Sequence, residues 1–235
     1  MKRNLAILLV LITIISSVLL FSGCNATSDD KIDDSVQLSI NDNEQSNKTE
    51  MSLPNDEEYV QTAYKALNQA FTITSFAMDD IYKSWYFTIY ESGDYSPSGY
   101  YYGYIDFAYA EYMGRDYGIV YDAFEKVYDK DCTSQWFYTA ISKVSTGVPL
   151  IIQILKDEGV YSSIETEMAK AKEALKNVNK DNECYEDLMA YYTEMLSFQK
   201  FTETPSGSFS GLESTVSAYE KTIQGYKNRL SVYLD

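Results

Sequence analysis

Residues 55–90 read NDEEYVQTAYKALNQAFTITSFAMDDIYKSWYFTIY. Val60, Tyr64, Leu67, Phe71, Thr74, Met78, Ile81 and Trp85 fall alternately four and three positions apart. That spacing of about 3.5 residues is the seam of a helix packed nearly parallel to its neighbours. Asn55 precedes three acids, Asp56 to Glu58, which suits an N-cap followed by a first turn that favours negative charge. The spacing predicts one helix from about residue 55 to Tyr90, stopped by ESGD.

The same period recurs downstream. Met113, Tyr117, Val120, Phe124 and Val127 predict a second helix, beginning within GYYYGYIDF and reaching about Asp129. A third starts near Cys132 and carries Trp136, Ala140, Val144, Val148, Ile151 and Leu155, with Gly147 and Pro149 expected to bend or interrupt it. Gly159 in KDEG suits a left-handed C-terminal position. Ser162 with Glu165 and Ser210 with Glu213 read as capping boxes opening later helices, the last bearing Leu212, Val216, Tyr219, Ile223, Tyr226 and Leu230. Residues 133–178 are readable as one helix or two. No alternating strand pattern is present. The expected fold is all-α: an elongated up-and-down antiparallel bundle of five or six helices over 55–235, since short links between long amphipathic helices favour antiparallel neighbours.

Upstream the character changes. Lys2 and Arg3 precede an unbroken apolar and small-residue run, LAILLVLITIISSVLLF at 5–21, and SGC ends at Cys24. A basic start, an apolar stretch and small residues before a cut describe an export signal over 1–23. LLFSGCN resembles the lipobox of bacterial lipoproteins, although Phe21 stands where Leu is usual. The resemblance implies lipidation at Cys24 by diacylglyceryl and fatty acyl (palmitate-like) chains. It covers the signal only. The other reading of the run is an uncleaved membrane helix at the short limit of a span. Either places the domain on the extracytoplasmic face of the cell membrane. Each buried methylene contributes about 0.8 kcal/mol, and stable anchoring takes more than one chain. Residues 24–54 are polar, acidic and free of aromatics, the composition of a disordered tether. As a flexible coil such a segment spans about 30 Å.

Charge and composition limit the chemistry. Removal of Lys2 and Arg3 with the signal takes the formal charge from −16 to −18. A domain so acidic repels nucleic acid and anionic headgroups. Histidine is absent, which removes Ser-His and Cys-His catalysis, HExxH zinc sites and the Glu-x-x-His iron motif. There is no phosphate-binding glycine loop and no EF-hand spacing; DKD at 129–131 and DNE at 181–183 read as solvated helix ends. No cofactor or metal is expected. A hydrolase working on two carboxylates needs no histidine and stays as a remote alternative.

Two cysteines remain, Cys132 and Cys184. In an exported chain an even count suggests a disulfide. If the third and fourth helices form a hairpin, the two lie at one end of the bundle and would close a loop of about fifty residues, stabilising by about 4 kcal/mol. If 133–178 is one helix, they lie at opposite ends.

The chain has 23 tyrosines, thirteen of them between Tyr82 and Tyr128. Tyr82, Tyr86 and Tyr90 share one helix face by their spacing of four. Tyrosine suits half-buried bundle positions, with its ring packed and its hydroxyl wet, and it equally suits a recognition surface. The candidate ligand or partner surface comprises Trp85, Tyr86, Tyr100, Tyr102, Tyr104, Asp106 and Arg115. Arg115 and Arg229 are the only arginines beyond the signal. Arg115 reads as mid-helix, paired to a carboxylate or, failing that, anchoring an anion. PSGYYYGY at 97–104 is echoed by PSGSFSGL at 205–212, which reads as repeated turn chemistry. The functional expectation is a non-enzymatic interaction or scaffold module with an unknown protein or cell-envelope partner. The alternative is a domain that binds a sugar, amine or peptide at its tyrosine-rich end.

Overall fold

The structure, a computed structural model, describes residues 55–96 and 104–234, apart from the side chains of 144–146. The signal, Cys24, the tether, Tyr100 and Tyr102 lie outside the described residues. The described residues are helical, with no strand. They form α1 (Asp56–Tyr86), α2 (Ile105–Met113), α3 (Tyr117–Tyr128), α4 (Ser134–Ile141), α5 (Val144–Asp157), α6 (Val160–Leu175), α7 (Tyr185–Glu203) and α8 (Phe209–Leu234). A π-helical turn, Phe87–Glu91, and a 3-10 turn, Ser92–Tyr95, continue from the end of α1.

α1 is the helix on which the others assemble. Asn55 caps it, its side-chain oxygen accepting from the Glu58 amide at 2.9 Å. Val60, Leu67, Thr74, Met78, Ile81 and Trp85 are buried along the expected seam. A second row, Ala63, Ala70, Ala77 and Ser84, repeats every seven residues and is fully buried. With two buried rows α1 is covered on more than one side, as a central helix must be. It packs most extensively on α6, and also on α5, α7 and α8. At its start, Gln61 Nε2 donates to the Leu234 carbonyl at 3.2 Å, so α8 ends beside the first turns of α1.

The helix count exceeds the expected five or six because two long elements are broken by local chemistry. The expected second helix is two. Gly114, at φ 65°, occupies the left-handed region that closes α2, and Asp116 caps α3 by accepting from the Gly118 amide at 2.7 Å. Residues 133–178 are neither one helix nor two but lie in three, α4, α5 and α6. Thr133 caps α4, accepting from the Trp136 amide. The interruption falls at Ser142–Lys143, before Gly147 and Pro149, and α5 runs through both. Gly159 is left-handed, at φ 73°, as its place in KDEG implies, and directly starts α6. Neither expected capping box forms. Ser162 lies inside α6 and donates to the Gly159 carbonyl. At α8 the oxygen accepting from the Gly211 amide belongs to Ser208 rather than Ser210.

Gly147 has a packing role that its helix position hides. A Cβ there would stand 2.5 Å from Thr88 Oγ1 and 3.1 Å from Ile141 Cδ1. The absent side chain lets α5 approach the π-helical turn, where Thr88 donates to the Ser84 carbonyl at 2.8 Å. Gly147→Ala is expected to destabilise the fold by about 1–3 kcal/mol in urea denaturation, the usual cost of overpacking. Thr88→Ala in the same chain should recover part of that loss. Additive effects of the two substitutions would show that the contact is not tight.

Candidate functional site

The residues singled out from the sequence fall into three separate environments. Arg115 is not mid-helix; it occupies the break between α2 and α3. Its Nη2 is 2.5 Å from Asp80 Oδ2, and its Nε is 2.8 Å from Glu158 Oε1. Asp80, on α1, is 1% exposed. Lys83, one turn on, contacts its other oxygen at 3.4 Å. Burial raises the pKa of Glu158, while Arg115 pulls it back down. The guanidinium thus serves two carboxylates from two helices and is not free for an anion.

Asp106, in the first turn of α2, is also buried. Its oxygens accept from Tyr117 Oη at 3.1 Å, Ser134 Oγ at 3.2 Å and the Phe107 amide at 3.0 Å. Tyr117 stacks on Phe107, with ring centroids 4.1 Å apart. It also faces the Cys132 thiol, which burial and the nearby Asp106 and Glu125 push up to about 11. The cluster joins α2, α3 and the start of α4 with its acceptors filled.

The third environment is aromatic. Phe209, at the start of α8, lies among the α1 rings: 4.6 Å from Tyr82, 6.4 Å from Trp85, 6.2 Å from Tyr86 and 6.1 Å from Tyr90. Tyr86 also leans on Tyr90 at 4.7 Å. Tyr112 of α2 adds its ring beside Phe87 at 5.2 Å. Burial and the charge of Glu91 raise the Tyr112 pKa. Tyr90 and Tyr112 remain 58% and 41% exposed, and Tyr104, just before α2, 65%. The sequence does not single out Phe209, because turn chemistry accounts for PSGSFSG as a whole, although its aromatic is visible there. The structure brings Trp85 and Tyr86 together, and separates Asp106 and Arg115 from them by partner.

The chain matches no family model, no curated protein and no solved structure.

Two concavities matter. A groove of about 840 Å³ runs between α5 and the α7–α8 turn, with Val148, Pro149 and Ile152 on one side and Trp85 among its lining. Tyr104 and Asp106 do not line it. A second, of about 570 Å³, is bordered by Glu125, Asp129 and Asp131, with Lys130 placed 4.6 Å over the Trp136 ring. No group of three or more potential metal ligands occurs among the described residues. No helix among them is long and apolar enough to cross a membrane.

Cys132 and Cys184, the pair weighed for a bridge, are free thiols. Cys184 starts α7 near Asp56, at the beginning of α1. Cys132 belongs with Tyr117 and Asp106 on the far side of α2, whose Tyr109 bonds Ser84 near the end of α1. An α1 of 31 residues is about 46 Å long, far beyond the roughly 7 Å limit for bridged Cα atoms.

Two outcomes are expected. Arg115→Met leaves Asp80 as a buried, poorly compensated charge and should cost about 3–5 kcal/mol in urea denaturation. Adding Asp80→Asn should restore part of it, and a single-variant loss within about 1 kcal/mol would contradict the pairing. Alkylation without reductant should modify both Cys132 and Cys184 in unfolded protein. In the folded protein the Cys132 rate should climb with pH towards about 11, because the thiolate is the nucleophile.

Proposed function

We propose that this chain is an extracytoplasmic lipoprotein, held to the cell membrane through lipidated Cys24 and a tether over 24–54. Its all-α domain, with long helices running up and down antiparallel, acts as a non-enzymatic interaction module. The observation that supports this reading is the contrast between its charged and aromatic groups. Asp106 and Arg115 are engaged inside the fold, whereas Tyr90 and Tyr112 stay exposed around the end of α1. Rigid tyrosines give a large contact area at low entropic cost, and their hydroxyls keep the surface wettable when unoccupied.

Chain connectivity favours the same reading. Anything upstream joins the domain at Asn55, where α1 begins. The exposed tyrosines gather at the other end of that helix, about 46 Å away. An anchored domain would then present them at a distance from its attachment point. A partner protein or envelope component, rather than nucleic acid, suits a surface of this charge.

The test is site-specific photo-crosslinking in cells making the full chain, with the photoreactive residue at Tyr90, Tyr112 or Glu165 of α6. A discrete adduct is expected from positions 90 and 112 and not from 165. Cys24→Ala should abolish both the adduct and incorporation of labelled palmitate. Identical patterns at all three positions, or none at any, would overturn the interaction surface, and palmitate labelling of Cys24→Ala would overturn the anchor.

A further inference from the structure

The groove between α5 and the α7–α8 turn has a use that the aromatic end does not account for. Its apolar lining includes Trp85, Val148, Pro149 and Ile152, and two opposite charges, Lys156 and Glu203, also line it. Neither charge belongs to an ion pair among the described residues, although six other lysines and arginines do. Glu203 accepts only a side-chain amide, from Gln199 at 3.2 Å. The neighbouring carboxylate at Asp157 is taken by Lys126 at 3.0 Å, so Lys156 is the cation left over on that turn.

Trp85 adds a second observation. It is 4% exposed, and its indole N–H is buried without an acceptor. Buried donors are nearly always paired, so an unpaired one on a residue that lines a cavity calls for an acceptor that a small turn of the indole would reach. The volume, about 840 Å³, lies in the range of small-molecule sites, which are mainly apolar with a few placed polar groups.

We propose that this groove binds a small zwitterion with an apolar body: an unblocked short peptide of apolar residues, or a free apolar amino acid. The ligand carboxylate pairs with Lys156 and its ammonium with Glu203. Its body lies on Val148, Pro149 and Ile152, and a carbonyl or carboxylate oxygen accepts from the Trp85 N–H once the indole turns towards the groove. Opposite charges on one lining select for a molecule that carries both, and each charge-assisted hydrogen bond is stronger than a neutral one. Blocking either terminus leaves a protein charge without its partner, which is the usual source of strong discrimination.

The chain contains two tryptophans. Trp136 borders the other concavity, so Trp136→Phe in the full chain leaves Trp85 as the only indole reporter. Tri-leucine, free leucine and N-acetyl-tri-leucine amide are titrated against this protein while Trp85 emission is followed. A saturable change is expected with tri-leucine or leucine below about 1 mM, and which of the two binds tighter identifies the ligand size. Lys156→Gln, Glu203→Gln and the blocked peptide should each weaken binding by about tenfold or more, with thermal unfolding unchanged. Tyr90→Ala and Tyr112→Ala should leave the affinity intact, which separates this site from the partner surface. No saturable response to either unblocked probe overturns the proposal, as does equal affinity for blocked and unblocked peptide or insensitivity to both charge substitutions.

Discussion

A carboxylate sealed inside a helical core is the constraint around which this protein is arranged. Asp80 lies on α1 at 1% exposure and has to be matched by positive charge. The match is Arg115, and supplying it requires the chain to leave helical geometry between α2 and α3. Gly114 makes that departure inexpensive by taking the left-handed conformation, and Asp116 restarts the next helix at once. Glu158, the residue that closes α5, completes the arrangement. One charge group therefore fixes the relative positions of α1, the α2–α3 break and the end of α5.

The central element was legible from the sequence because α1 obeys one period for eight consecutive seam positions and carries its own cap. Its alanine row at 63, 70 and 77 is harder to see, since alanine suits any helix and signals burial only in context. The breaks were less legible for a related reason. Gly114, Arg115 and Asp116 fit within a continuing apolar period, which masks their cap chemistry. The visible breakers, Gly147 and Pro149, lie inside α5, while the interruption at Ser142–Lys143 contains neither glycine nor proline. Gly147 is there for the closeness of Thr88, a contact between segments some sixty residues apart that no local pattern reveals.

The site residues divide in the same way. Rarity marks Arg115 as a special position, and its place among the tyrosines marks Asp106. Neither mark says whether the partner is a ligand or another part of the fold, and here both side chains meet internal partners. The groove was invisible because its walls are ordinary helix residues from α5 and a turn whose proline and glycine were read as punctuation. Lys156 and Glu203 are each one of many charges in an acidic chain, and only their placement on a shared lining makes them distinctive.

The seat of Phe209 among Tyr82, Trp85, Tyr86 and Tyr90 bears on the order in which the molecule is assembled. These rings are separated by more than a hundred residues of chain. A polypeptide that emerges N-terminus first exposes the α1 rings long before their cover exists. Closing so long an interval carries an entropic cost that slows the step, although the cost grows only with the logarithm of length. During that interval the tyrosines are an adhesive strip on an otherwise charged nascent chain. Their hydroxyls, and the acids Asp79, Asp80 and Glu91 beside them in sequence, make that strip more polar than a run of phenylalanines would be, the kind of flanking charge that opposes aggregation.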